Sequence, residues 1–188
     1  MKLHQTFWIV LTELLVTHSL LAQSQFAVRN GYIVDAPVFD AQGNRLAGPT
    51  YLAELWGGAS SNALSPVVNI DQGFRREIVP FLSDGYFSSS AAFMCVMDVP
   101  PYGSAWLQVR AWDANLGSTY EQVQGLGIGG YGESPLFYAQ GSDPFVLELP
   151  APLIGLQSFS LREIVPEPNS AALLLLGVAF LFRRRRSQ

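Results

Sequence analysis

Between Gln25 and Val165 the chain has no histidine; both histidines, His4 and His18, lie within the first 24 residues. Ser-His-Asp and Cys-His catalysis, and zinc sites that use histidine, are therefore outside the reach of this stretch of a single chain. The only cysteine, Cys95, sits in the apolar run AAFMCVM. A catalytic thiol needs a base or cation beside it, so Cys95 reads as a buried small hydrophobe. Gly125, Gly127 and Gly130 satisfy G-x-G-x-x-G. A dinucleotide fingerprint needs a helix opening inside it. The sequence Tyr131-Gly132-Glu133-Ser134-Pro135 opens no helix well, so a loop is expected and no cofactor. Asp113, Asn115 and Glu121 are the weak metal candidates, an oxygen-ligand set of the kind calcium takes. The EF-hand pattern fails there, because Gly117 stands where a ligand belongs and Ser118 where the glycine belongs. The competing reading is a turn whose Asp and Asn bond their own backbone. Glu54, Asp113, Glu121 and Glu133 lie near aromatics, but the two carboxylates of a glycosidase must stand about 5 to 9.5 Å apart. Spacing along the chain selects no pair, so no catalytic residue is assigned.

The aromatics offer a second chemistry. Gln25 to Val165 holds three tryptophans (Trp56, Trp106 and Trp112), seven tyrosines and nine phenylalanines. Most must be core. Trp106 and Trp112 are the candidate glycan-stacking residues, for a reason of periodicity. Ala105 to Trp112 alternates strictly, with Ala105, Leu107, Val109 and Ala111 on one face and Trp106, Gln108, Arg110 and Trp112 on the other. The small aliphatic face is expected to pack inward. The tryptophan face is either covered by another segment or a platform.

The elements that position these residues read as strands. Short apolar and β-branched runs cover Phe26 to Val34, Tyr51 to Trp56, Val67 to Ile70, Ala92 to Val99, Ala105 to Asp113, Ser134 to Tyr138, Phe145 to Leu149 and Gln157 to Ile164. Turns are marked at Ala41 to Asn44, Gly57-Gly58, Asp84-Gly85 and Pro100 to Gly103. Thr119 to Gln124 is the one candidate helical turn. The fold expected is all-β: an antiparallel sandwich or jelly-roll-like body over residues 25–164. It is flanked by an N-terminal signal helix in residues 1–24 and a C-terminal hydrophobic helix in residues 165–188, with a linker over Glu163 to Ser170.

Charge narrows the partners. Residues 25–165 carry six arginines, no lysine and 13 acids, a formal balance of −7, whereas the whole chain stands at −4. An acidic body without lysine is a poor nucleic-acid binder and is repelled by anionic membrane surfaces.

Both ends look like export signals. Lys2 precedes the apolar stretch Phe7 to Val16, which Glu13 interrupts, and Ala22-Gln23-Ser24 fits a small-residue cleavage pattern. At the other end stand Pro166-Glu167-Pro168, an uncharged run of 12 residues from Ala171 to Phe182, and the cluster Arg183, Arg184, Arg185 and Arg186. As a helix the run spans about 18 Å, against a hydrocarbon core of about 30 Å, so transient rather than durable membrane attachment is expected. The arginines stay cytoplasmic and place the body across the membrane. Val165 to Gln188 resembles the PEP-CTERM sorting signal of bacterial exported proteins, in the order and spacing of all three parts. The resemblance implies an exosortase-type sorting protease as partner. It also implies a processing motif at Pro166, Glu167 and Pro168 and an orientation role for Arg183 to Arg186. The stretches DAPVFDAQGNRLAGPTYLAELWGG (Asp35 to Gly58), VRAWDANLGSTYE (Val109 to Glu121) and GYGESPLFYA (Gly130 to Ala139) resemble an ectodomain that recurs among PEP-CTERM proteins. That likeness brings no catalytic residues with it.

Together these readings point to an exported, non-enzymatic envelope or matrix protein with a structural or adhesion role. A module binding extracellular polysaccharide is the alternative, and a carboxylate-based glycosidase comes third.

Overall fold

The computed structural model describes residues 23–165. Of the expected signal helix in residues 1–24, Gln23 and Ser24 stand instead in a strand, where they pair with Met97 and Val96; its part up to Ala22, the Pro166-Glu167-Pro168 triplet, the apolar run and the four terminal arginines lie outside the described residues. Two antiparallel sheets face each other across one core. The elements of the larger sheet are β3 (Tyr51–Gly58), β4 (Ser65–Pro66), β7 (Val79–Ser83), β8 (Tyr86–Phe87), β10 (Ser104–Asp113), β11 (Tyr131–Glu133) and β12 (Phe137–Gln140). They run in the order β11-β10-β3-β7-β8, with β12 also on β10 and β4 on β3. The smaller sheet is β1 (Gln23–Gln25), β9 (Met94–Met97), β5 (Val68–Asn69) and β6 (Arg75–Arg76), in that order. A parallel pair, β2 (Val38–Phe39) with β13 (Phe159–Ser160), closes the body. No helix among the described residues is long and apolar enough to cross a membrane.

The alternation in β10 does what period two requires. Ala105, Leu107, Val109 and Ala111 are each 0% exposed and join Phe26, Leu55, Met94 and Val96 in the core between the sheets. Gly57 and Gly58, expected as a turn, are instead the last two residues of β3. They are small because their neighbours are close: a Cβ on Gly57 would lie 2.5 Å from Val96 Cγ2 of the facing sheet, and one on Gly58 2.2 Å from the Ala63 carbonyl. The Asp84-Gly85 turn forms as expected. Both residues have positive φ (50° and 81°), the mirror-image turn whose twist suits a two-residue hairpin, here between β7 and β8.

Three expected strands fail locally. Phe26 to Val34 forms only isolated bridges at Phe26 and Arg29, because the chain turns at Tyr32 and Ile33, Tyr32 having a φ of 81°. Ser134 to Tyr138 is not one strand, because Pro135 has no N–H to give the ladder. The chain breaks there into β11 and β12, both paired to β10. Phe145 to Leu149 is no strand; the run lies exposed on the surface. Conversely, the expected helical turn is a seven-residue helix, α1 (Tyr120–Leu126). Thr119 caps its start by accepting from Gln122 N at 3.3 Å, and Gly127 ends it in the left-handed conformation.

Candidate functional site

The outward face of the larger sheet gathers most of the polar and aromatic side chains singled out from the sequence. Register builds it: Glu54 stands opposite Arg110, Trp56 opposite Gln108, and Glu133 opposite Arg110 from the other side. Glu54 is 0% exposed. A carboxylate so placed must be paired, and Arg76 closes on it with two bonds of 2.6 Å, Nε to Oε1 and Nη2 to Oε2. The Trp56 indole N–H gives Oε2 a third bond at 2.8 Å. Hydrogen bonding to Glu54 holds the Arg76 guanidinium above its usual range, against the opposing effect of burial.

Arg110 lies flat against this assembly. Its guanidinium carbon is 3.7 Å from the Trp56 ring centre and 5.1 Å from that of Tyr120, and its Nε donates to Gln108 Oε1 at 3.1 Å. Gln108 in turn donates to the Ser134 carbonyl at 3.2 Å. The Ser134 hydroxyl accepts from Val109 N at 3.0 Å. Ser134 thus satisfies the part of β10 that the Pro135 break leaves without a ladder partner.

Helix α1 divides the face in two. Trp112 packs with Tyr120, Val123 and Tyr131 into a small second core, its indole N–H bonded to the Gly117 carbonyl at 3.1 Å. It is 0% exposed. Trp112 therefore cannot stack on a glycan, and its assignment to such a role is corrected here: the helix occupies its outer face. Tyr120 donates to Glu133 Oε2 at 3.1 Å. Burial first, then the charge on Glu133, pushes its hydroxyl well above the usual tyrosine range. Trp106, at the other end of β10, stays half-exposed. Its cross-strand neighbour on β12 is Tyr138, 58% exposed. The two rings meet at 5.2 Å with an interplanar angle of 50°. Tyr138 was no candidate from the sequence; its strand register to Trp106 carries the signal, and only pairing reveals it.

The metal candidates do not converge. Asp113 Oδ1 accepts from Asn115 N and Asn115 Nδ2, both at 2.9 Å, which is the self-bonded turn. Glu121, at the start of α1, turns to Arg76 Nη2 at 3.1 Å. Burial alone would raise its carboxyl, but its own backbone N–H and the Arg76 charge outweigh that and hold it below the usual range. No group of three or more His, Cys, Asp or Glu gathers among the described residues. Glu54 and Glu121 share the Arg76 guanidinium, yet Glu54 is sealed from solvent. Cys95 is buried in β9 with its thiol pushed up to about 12, by burial first and then by Asp71. The glycine run closes α1 instead of opening a helix, opposite to what a phosphate cradle requires.

A cleft of about 150 Å³ opens beside Asp40, Tyr51, Asp113 and Arg162, below the roughly 300 Å³ at which ligand pockets begin. A more open one of about 500 Å³ lies among Gly31, Tyr32, Asp35 and Tyr86. There Tyr32 is 90% exposed with φ at +81°, and Tyr86 donates to Asp35 at 2.6 Å.

At the end of the body, Val165 N donates to the Ile128 carbonyl at 2.7 Å. The family model of the PEP-CTERM protein-sorting motif matches residues 165–186, beginning at that residue. No curated protein and no solved structure matches the chain. The chain carries at its C-terminus the PEP-CTERM protein-sorting motif, the mark of an exported protein that an exosortase sorts to the cell envelope.

Proposed function

We propose that the body is a non-catalytic adhesion module that binds extracellular polysaccharide through the open half of its outer sheet face. The sorting motif delivers it to the envelope or matrix, with transient membrane attachment through the tail. The observation that carries this reading is the Trp106–Tyr138 pair, a half-buried indole and an exposed phenol ring tilted against each other on adjacent strands. A pyranose has an apolar face that stacks on such a ring, and each stacked aromatic contributes on the order of 1 kcal/mol beyond its buried area. Arg110 follows along the same face, and the guanidinium N–H groups beyond the one given to Gln108 supply donors for sugar hydroxyls. Its place over the Trp56 ring and its bond to Gln108 fix it before any ligand arrives, which lowers the ordering cost of binding. Affinity electrophoresis through gels containing bacterial exopolysaccharides tests this. Wild-type protein should be retarded, and Trp106→Ala should migrate about as fast as in a gel without polysaccharide.

One observation favours a purely structural role instead. Phe145, Val146, Leu147 and Leu149 form an exposed apolar run, with Leu147 fully exposed. That reading expects concentration-dependent self-association in sedimentation, abolished by Leu147→Asp, and no retardation by any polysaccharide.

A further inference from the structure

We propose that the signal segment is cut between Ala22 and Gln23, so that the exported chain begins with Gln23. This inference rests on the reading of the N-terminus as a signal peptide and moves its end from residue 24 to residue 22. Between Leu20 and Phe26 two bonds follow a small residue: after Ala22 and after Ser24. The fold distinguishes them. Gln23, Ser24 and Gln25 are 4%, 0% and 3% exposed, and they pair as β1 with Met97, Val96 and Cys95 of β9. Ser24 donates from its hydroxyl to the Gly103 carbonyl at 3.1 Å. Gln25 exchanges both backbone bonds with Ser142 at 3.0 Å, and its side-chain amide donates to the Ala92 carbonyl. The surroundings are also shaped to receive Ser24. A Cβ on Gly141 would lie 2.0 Å from the Ser24 hydroxyl oxygen and 2.9 Å from the Phe26 ring. Glycine leaves that space to both the Ser24 hydroxyl and the Phe26 ring.

A cut after Ser24 would remove two of the three residues of an edge strand. It would uncover β9 beside them, where Val96 is 1% exposed, and leave the Gly103 carbonyl without this donor. Exposed edges are costly and invite pairing with other chains. A cut after Ala22 removes none of the described residues of the sheet, and it leaves a signal segment of 22 residues, within the usual 15 to 30.

Peptide mass spectrometry of the full chain expressed with export in a bacterial host tests the bond directly. The N-terminal peptide should begin at Gln23, as glutamine or its cyclised form. A peptide beginning at Gln25 overturns the proposal while leaving the signal-peptide reading intact. Exported protein that keeps Met1 overturns both. A second measurement uses Ala22→Phe, which puts a bulky residue before the bond. The Gln23 peptide should disappear, without a folded pool starting at Gln25 taking its place. A Gln25-starting product that melts at the wild-type temperature would contradict the role given to β1.

Discussion

Glu54 sets the geometry of one part of the outer sheet face, because Arg76 and the Trp56 indole are held through it. Removing its partner leaves a buried charge without compensation. Arg76→Ala should therefore cost about 2 to 4 kcal/mol in urea melts, the lower part of that range because Arg76 is itself 36% exposed and water can enter behind it. Replacing Glu54 and Arg76 together by leucine should cost much less, since no unpaired charge remains. Tyr120 makes a second prediction. Its folded-state hydroxyl titrates above its usual range while the unfolded chain ionises near pH 10. Its contribution is fully present below about pH 10 and is lost as the pH rises from there towards the folded value. Tyr120→Phe should make the fall in stability between pH 10 and 12 shallower by about 1 kcal/mol per pH unit; an unchanged slope would contradict the burial of that hydroxyl. The sequence placed Trp106 and Trp112 correctly on one face by period two. It did not separate them, because what separates them is a helix that begins eight residues beyond Trp112 and covers one end only. The partners of Glu54 were equally hidden, since Arg76 comes from a strand 22 residues away.

Among the elements, β10 was legible because it is long and alternates, so periodicity defines it, whereas β3 was legible only as an apolar run up to Trp56, its last two residues reading as a turn. The Asp84-Gly85 hairpin was legible from turn chemistry, whereas its strands were not: β8 is two residues long and carries no period. Phe145 to Leu149 misled, because an apolar run expects burial and nothing in the sequence shows that no strand comes to pair with it. The last segment of the body is held by close backbone approach. A Cβ on Gly132 of β11 would lie 2.5 Å from the Ser160 carbonyl and 3.0 Å from Leu161 Cα, and Gly130 N donates to the Arg162 carbonyl. Gly132→Val should push β13 and the chain up to Val165 off the sheet. The expected loss is about 1 to 3 kcal/mol, with faster amide exchange confined to residues 159–165 and to the strands they cover.

At the scale of the whole molecule, the two ends of the described chain lie at opposite ends of β10. Ser24 bonds to Gly103 at its start, and Asp113 N donates to the Gly130 carbonyl, beside Arg162, at its end. At about 3.3 Å per residue, Trp106 lies roughly 23 Å along the strand from Asp113. In the proposed attachment through the C-terminal tail, the body has the Trp106–Tyr138 pair at the end remote from Val165. Its acidity keeps it off the anionic surface. The destination was readable in the sequence because a sorting signal is read as linear text. The activity was not, because a binding face is assembled from strands far apart in the chain. Exosortase sorting makes its own prediction: mass spectrometry of the envelope-located protein should show that Arg183 to Arg186 are gone, and intact tails there would contradict processing. The adhesion account stands or falls on one comparison, the retardation of wild-type, Trp106→Ala and Leu147→Asp proteins in polysaccharide gels. It predicts that Leu147→Asp is held back as the wild type is and that Trp106→Ala runs free; equal migration of all three, with and without polysaccharide, would contradict it.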